Sequence, residues 1–205
     1  MTFMPIYLQM VRGAGPGQVG LLLLPLTVGI AVGALLTGRA VARTGRTAVY
    51  PSFGLAVVTG CWVLMALGAG WVPLGWLPGV FLLMSLTLGT AMPIVQVTVQ
   101  IAAGAANLGA ASASVQFSRS IGAALGTAAV GAVLFAVLAS RDQAVAGVFA
   151  ELVERGPALL DTLPAGRRAV LADDIAGAFR AAFLVIAGFS ATGLVLAWSL
   201  PMRRI

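Results

Sequence analysis

The sequence has no histidine, no lysine, one cysteine and only six acidic residues. Each shortage excludes something. The lone Cys61 cannot form an internal disulfide, and a cysteine without any histidine provides no zinc-type ligand set, so no metal site is expected. With no histidine, no paired carboxylates inside an apolar run and no Gly-rich phosphate loop, there is no visible catalytic chemistry and no cofactor signature. Only 9% of the residues are charged, against about 25% in ordinary soluble domains. Twelve arginines and six acids cannot clothe a soluble domain of 205 residues, which excludes a soluble globular enzyme. Disorder is excluded with it, since disorder needs low hydrophobicity and high charge. No dense basic patch with interleaved aromatics exists, so the net charge of +6 does not indicate nucleic acid. Residues 1–10 also lack the basic n-region of a signal peptide.

What is present is apolar length. Hydrophobic residues make up 60% of the chain, and mean hydropathy is +1.04. A bilayer core of roughly 30 Å needs about 20 apolar residues at 1.5 Å rise each. Residues 20–41, 49–69, 77–103, 111–138 and 180–201 each reach that length, which predicts five complete membrane helices. Their continuous rather than alternating apolar character favours helices over a barrel. Residues 1–10 are apolar but too few to cross. They read either as the last turns of a helix whose beginning is missing, with Met1 not the biological start, or as a short interfacial segment.

The connections differ in kind. The one at residues 42–48 is short and basic, with Arg43 and Arg46 following Arg39. The Gly70–Trp76 stretch is rich in Gly, Pro and Trp, as suits a turn at headgroup level. Residues 139–178 form a long polar loop that holds every acidic residue of the chain. Within it Val145, Val148, Phe149, Leu152 and Val153 follow the spacing of an amphipathic helix, which either lies on the membrane or caps the bundle. Arginines fall six to each side of the resulting topology, so their number does not orient it. Their crowding near residues 39–46 and 203–204 favours that side as cytoplasmic.

A repeat is visible in the glycines. Gly29, Gly33 and Gly38 are spaced four and then five apart, and so are Gly122, Gly126 and Gly131. Counting the truncated start as the first helix, these stretches are the second and fifth of six. Three helices per unit makes the units inverted, an inverted three-plus-three arrangement found in transporters. The alternative is chance matching among 26 glycines, helped by the general use of small-xxx-small spacing in membrane bundles. Either way, Gly29, Gly33, Gly122 and Gly126 are expected to be helix-packing positions.

Residues 38–46, GRAVARTGR, resemble the loop between the second and third helices of a half of the major facilitator superfamily. In that pattern a glycine is followed, after a few residues, by an acid or amide, a base, any residue, Gly and Arg. Gly38, Arg43, Gly45 and Arg46 match, with Arg39 inside the motif, whereas Ala42 stands at the acidic position. Loss of that acid suggests the second-half copy of the loop. The segments from Met4 to Gln9 and from Gly20 to Pro25 are similar to the start of the C-terminal half of fourteen-span drug/proton antiporters. The segment from Arg119 to Gly126 resembles their next-to-last helix. The resemblance covers essentially the whole of residues 1–205. It implies an all-α membrane fold, a six-helix half-domain with a truncated first helix, in a bacterial inner (plasma) membrane. It further implies a cytoplasmic C-terminus, an external 139–178 loop, and an N-terminal half of the same transporter as partner. Small-molecule substrate and protons would be handled between the two halves.

Candidate site residues are few. Gln96 and Gln100 lie four apart on one face of the fourth helix, with Met92 a turn earlier and Pro93 kinking it. Gln116 and Arg119 lie three apart near the start of the fifth. A tight hairpin at residues 104–110 would bring the four to similar depth. They are either a polar lining of a substrate cavity or helix–helix hydrogen bonds, with Arg119 snorkelling to the interface. No acid lies in any expected span, so proton coupling through a desolvated carboxylate would reside in the N-terminal half. The competing reading is a half-size membrane protein that dimerises or scaffolds another.

Overall fold

The computed structural model describes residues 3–44, 49–68, 72–141, 143–155 and 165–199, and every regular element among them is helical. Seven α-helices follow in chain order: α1 Met4–Met10, α2 Pro16–Thr44, α3 Val49–Leu67, α4 Leu77–Ala103, α5 Leu108–Arg141, α6 Gln143–Arg155 and α7 Ala165–Ser199. Four helical stretches, Pro16–Arg43, Leu74–Ala103, Ala105–Arg141 and Val170–Ser199, are long and apolar enough to cross a membrane. The sequence led us to expect five. The remaining one, α3, is apolar but shorter, and it packs between α4 and α7.

Helix ends follow local chemistry. Pro16 opens α2 and Pro78 sits in the first turn of α4, where a missing N–H is harmless. Gly104 ends α4 with φ +76°, a backbone conformation open to glycine. A 3₁₀ turn, Ala105–Asn107, follows, and Asn107 Nδ2 donates to the Ala103 carbonyl at 3.2 Å. The chain thereby reverses into α5 within four residues.

Two helix pairs set the architecture. α2 lies along α4 so closely that glycine is required at the contact. A Cβ on Gly29 would strike Ser85, one on Gly33 would strike the Leu86 carbonyl, and one on Gly89 would strike the Ile30 carbonyl. Residue numbers rise together along the two helices, so they run parallel. Ser85 Oγ donates to the Pro25 carbonyl at 3.0 Å, a polar stitch inside an apolar contact. The second pair is α3 with α7, joined by Thr59 Oγ1 and Ser190 Oγ at 2.8 Å. The centre holds an aromatic cluster: Tyr7 on α1 meets Phe179 and Phe183 of α7 with ring centroids 5.3 Å apart, and Trp62 of α3 meets Phe183 at 5.5 Å. Beside the starts of α2 and α4 the Arg12 guanidinium bonds the Val72 carbonyl, tying the α1–α2 connection to the one after α3.

Several expectations are corrected here. Residues 139–178 are not mainly loop. α5 continues to Arg141, α6 occupies 143–155, and α7 begins at Ala165 rather than near 180. The reason is a stripe that overall hydropathy hides. Leu171, Ile175, Ala178, Phe179, Ala182 and Phe183 are all buried and share one face of α7, so the same stripe passes through the charged section into the apolar one. α6 caps the bundle: Phe149 and Leu152 are buried, and Phe149 meets Phe135 of α5 edge-on at 5.5 Å. Arg141 of α5 and Asp174 of α7 pair at 3.0 Å beside it.

Gly38, Arg39 and Arg43, expected in a loop, lie in the last turns of α2, because nothing between Pro25 and Thr44 breaks the helix. Gly45 and Arg46 lie outside the described residues. Finally, Gly122 and Gly126 do not match Gly29 and Gly33 in surroundings: a Cβ at either would meet nothing within 4 Å. Equal spacing along two helices does not put equal neighbours opposite them.

Candidate functional site

The α4–α5 hairpin positions the four polar residues singled out from the sequence. Gln96, Gln116 and Arg119 come together along one groove of about 600 Å³ between the two helices. Gln100 does not join them. Its Nε2 donates to Ser112 Oγ at 2.8 Å across the hairpin, and it borders a separate, smaller hollow of about 300 Å³ near Gly104. The fourth residue is thus a brace for the hairpin.

Arg119 is exposed on α5, and its Nη1 donates to Met92 Sδ at 3.3 Å. A thioether is a weak acceptor, and a guanidinium carries five N–H donors. The side chain therefore keeps most of its donor capacity free, aimed along a wall of Leu88, Val95 and Val99. Among the described residues no carboxylate pairs with it. The described acid that is ion-paired, Asp174, sits with Arg141, which is 22 residues further along α5 and about 33 Å away at the helical rise. The groove is accordingly a single positive charge with two amides on an apolar surface. It can orient a polar or anionic group while apolar contact supplies most of the binding.

Sequence reasoning missed three participants. Ser114 and Ser118 line the groove one turn apart on α5, and Ser112 partners Gln100. The signal available was their recurrence inside an otherwise apolar run. Met92 was visible as a neighbour of Gln96, but its role as an acceptor for Arg119 depends on the register of the hairpin.

The remaining predicted positions stand apart from the groove. Arg39 and Arg43 are exposed at the end of α2, and Gly38 has open space around it. Gly29 and Gly33 seat α2 on α4, on which the groove is built. Among the described residues no cluster of His, Cys, Asp and Glu could hold a metal ion.

Comparison with known proteins agrees with a membrane carrier. The chain is 31% identical over 200 residues, 96% of its length, to an uncharacterized MFS-type transporter of Mycobacterium tuberculosis. It is 28% identical over 141 residues, 69% of its length, to a tetracycline resistance determinant of Streptomyces rimosus. It is 33% identical over 145 residues, 66% of its length, to the MFS transporter L2 of a Phoma species. The chain spans 29% of the length of the mycobacterial relatives and 41% of the Streptomyces protein. No family model matches the chain, and no solved structure matches it significantly. The helical membrane architecture and this distant homology over nearly the whole chain together support its membership of the major facilitator (MFS-type) transporters, a non-enzymatic family.

Proposed function

We propose that the chain is the C-terminal portion of a small-molecule efflux permease of the fourteen-span drug/proton antiporter branch. In this reading α1, α2, α3, α4, α5 and α7 are a six-helix half with an inverted three-plus-three plan, and α3 crosses the membrane with the others. The C-terminus and the Arg39–Arg46 region are cytoplasmic in a bacterial inner membrane, and α6 is external. The α4–α5 groove is this half's wall of the substrate cavity, and an N-terminal half supplies the opposite wall and the proton-carrying carboxylate. The carrying observation is the convergence of Gln96, Gln116 and Arg119 on an apolar groove with no acid among the described residues to neutralise the arginine. An unpaired arginine at membrane depth costs roughly 2.5–3.5 kcal/mol on insertion scales, so facing lipid there is unfavourable. A cavity between halves removes that penalty.

Two measurements test this. In the transporter polypeptide that carries this segment, Arg119→Ala should lower energised efflux of lipophilic drugs at least about tenfold, corresponding to the loss of about 1.4 kcal/mol of binding or transition-state stabilisation. Protein abundance should stay unchanged. Unaltered efflux would overturn the site. The 205-residue chain alone in liposomes should show no proton-driven flux, and robust flux would instead indicate a dimerising half-size transporter.

A further inference from the structure

The Arg119 contact also marks a sulfur. Of the methionines among the described residues, Met4, Met10, Met65 and Met84 are closed off, each 8% exposed or less. Met92 is 46% exposed, and it lines the α4–α5 groove. Cys61, the chain's one thiol, is buried in α3. Oxidation of sulfur follows its exposure. Among the described residues one sulfur is therefore open to attack, and it is the one that accepts from Arg119. We propose that Met92 is an oxidation site whose sulfoxide captures the Arg119 guanidinium, so that a peroxide withdraws this arginine from the groove. The modification rests on exposure and on the Arg119 contact alone; only its effect on efflux rests on the proposed function.

The step is a two-electron oxygen transfer. A lone pair of Met92 Sδ attacks one oxygen of hydrogen peroxide, the S–O bond forms and the O–O bond breaks. The sulfur is oxidised to the sulfoxide and the peroxide is reduced. The proton of the transferred oxygen passes through solvent to the departing hydroxide, which leaves as water. Thiol-dependent reductases reverse the reaction, so the change is not permanent.

The product alters what Arg119 meets. A thioether is a weak acceptor, so the contact at 3.3 Å leaves most of the five guanidinium donors uncommitted. Oxidation turns that apolar side chain into a polar one, and the new oxygen is carried by a sulfur already beside Nη1. Methionine has three rotatable side-chain bonds. A small torsion therefore sets the oxygen at an N–H···O distance of about 2.7–3.2 Å. Hydrogen bonds from a charged donor are roughly twice as strong as neutral ones. Among the described residues no carboxylate competes for the guanidinium. The reduced groove thus presents an available cation, and the oxidised groove presents one already bonded to its own wall. A polar or anionic group entering the groove must then displace the sulfoxide oxygen.

Hydrogen peroxide tests this on the transporter polypeptide that carries the segment, purified in detergent. Peptide masses taken over time should show Met92 gaining one oxygen at least about tenfold faster than Met4, Met10, Met65 and Met84. Equal or slower oxidation would overturn the site. Phenylglyoxal, which labels free guanidinium groups, then reads Arg119. After peroxide its labelling should slow about fivefold or more, and in Met92→Leu peroxide should leave the rate unchanged. Met92→Gln, which places an amide oxygen about where the sulfoxide oxygen would stand, should slow labelling without peroxide. Met92 oxidised while Arg119 labels as fast as before would overturn the capture, and so would an equal slowing in Met92→Leu. Efflux separates this proposal from the proposed function. The fraction of efflux lost to peroxide should shrink to near nothing in Met92→Leu. Arg119 shielded with efflux unmoved would count against the substrate cavity and leave the oxidation site standing.

Discussion

Gly33 and Gly60 are both helical glycines in apolar runs, yet they predict opposite behaviour on substitution. Gly33 of α2 faces the Leu86 carbonyl, a backbone atom that can move only if α4 moves with it, whereas nothing lies within 4 Å of a Cβ at Gly60. Gly33→Leu should destabilise the protein by about 1–3 kcal/mol or more through overpacking. Gly60→Leu should be neutral or stabilising, since leucine is the better helix former by up to about 1 kcal/mol. Thermal unfolding of the two variants in one detergent checks this, and equal effects would refute the close α2–α4 contact. The same scale shows where the candidate site was legible. Gln96, Gln116 and Arg119 stand out as polar residues in apolar runs, and their spacing plus a tight hairpin is enough to group them. Gln100 fits the same rule and fails it, because Ser112 lies opposite it and takes its amide hydrogen bond at 2.8 Å. Helical spacing fixes which residues share a face; it does not fix which partner wins each one. Gln100→Leu should therefore loosen the hairpin by about 0.6–1 kcal/mol, while Gln116→Leu should leave Tm little changed and, on the proposed function, alter transport by the polypeptide that carries this segment.

At the level of elements, α6 is the piece whose docking the sequence left open. Its apolar face, carried by Phe149 and Leu152, is buried against α5, where Phe149 meets Phe135, and belongs to the same core cluster as Leu171 and Ile175 of α7. Phe149→Ala should remove about 3–5 kcal/mol, the usual range for a fully buried phenylalanine. Val153, 41% exposed on the same helix, should tolerate alanine within about 0.5 kcal/mol. Equal sensitivity of the two, measured by proteolysis of α6 in detergent, would mean that the helix floats on the membrane surface instead. Helix boundaries were legible where hydropathy and helix breakers coincide. α4 runs from Leu77, just before Pro78, to Ala103, just before Gly104, as the apolar run does. They were illegible where a helix outlasts its apolar run. α7 extends fifteen residues upstream of residue 180, and its buried stripe, from Leu171 onward, is interleaved with Asp173 and Asp174. A sliding average of hydropathy reports that mixture as polar. Gly177 fits the same account, since its missing side chain leaves room for the Arg141 guanidinium on its way to Asp174.

For the molecule as a whole, the contacts impose a sidedness that arginine counting could not. The α2–α4 pair runs parallel, so the end of α2 with Arg39 and Arg43 shares a side with Asn107 in the α4–α5 hairpin. Arg12 bonded to Val72, Arg141 paired with Asp174, and all of α6 gather at the other end. The acids of the described residues therefore sit on one side and the Arg119 groove opens nearer the other, which is why Arg119 finds a thioether and not a carboxylate. This sidedness can be read with single cysteines in a Cys61→Ala background, since Cys61 is buried in α3. Arg43→Cys and Asn107→Cys should react with a membrane-impermeant maleimide only in inverted vesicles, and Glu154→Cys only in right-side-out ones. Trp76→Cys decides the status of α3. Trp76 is 71% exposed in the turn that follows α3. If α3 crosses, as its 19 residues and about 28 Å of helical rise allow against a core of roughly 30 Å, Trp76→Cys should label with Glu154→Cys. Labelling of Trp76→Cys together with Arg43→Cys would mean that α3 does not cross and, with α4 still spanning, would put Asn107 opposite Arg43, against the parallel α2–α4 pair. The six-helix half would then be lost, although the α4–α5 groove, built from two helices that do not include α3, would stand.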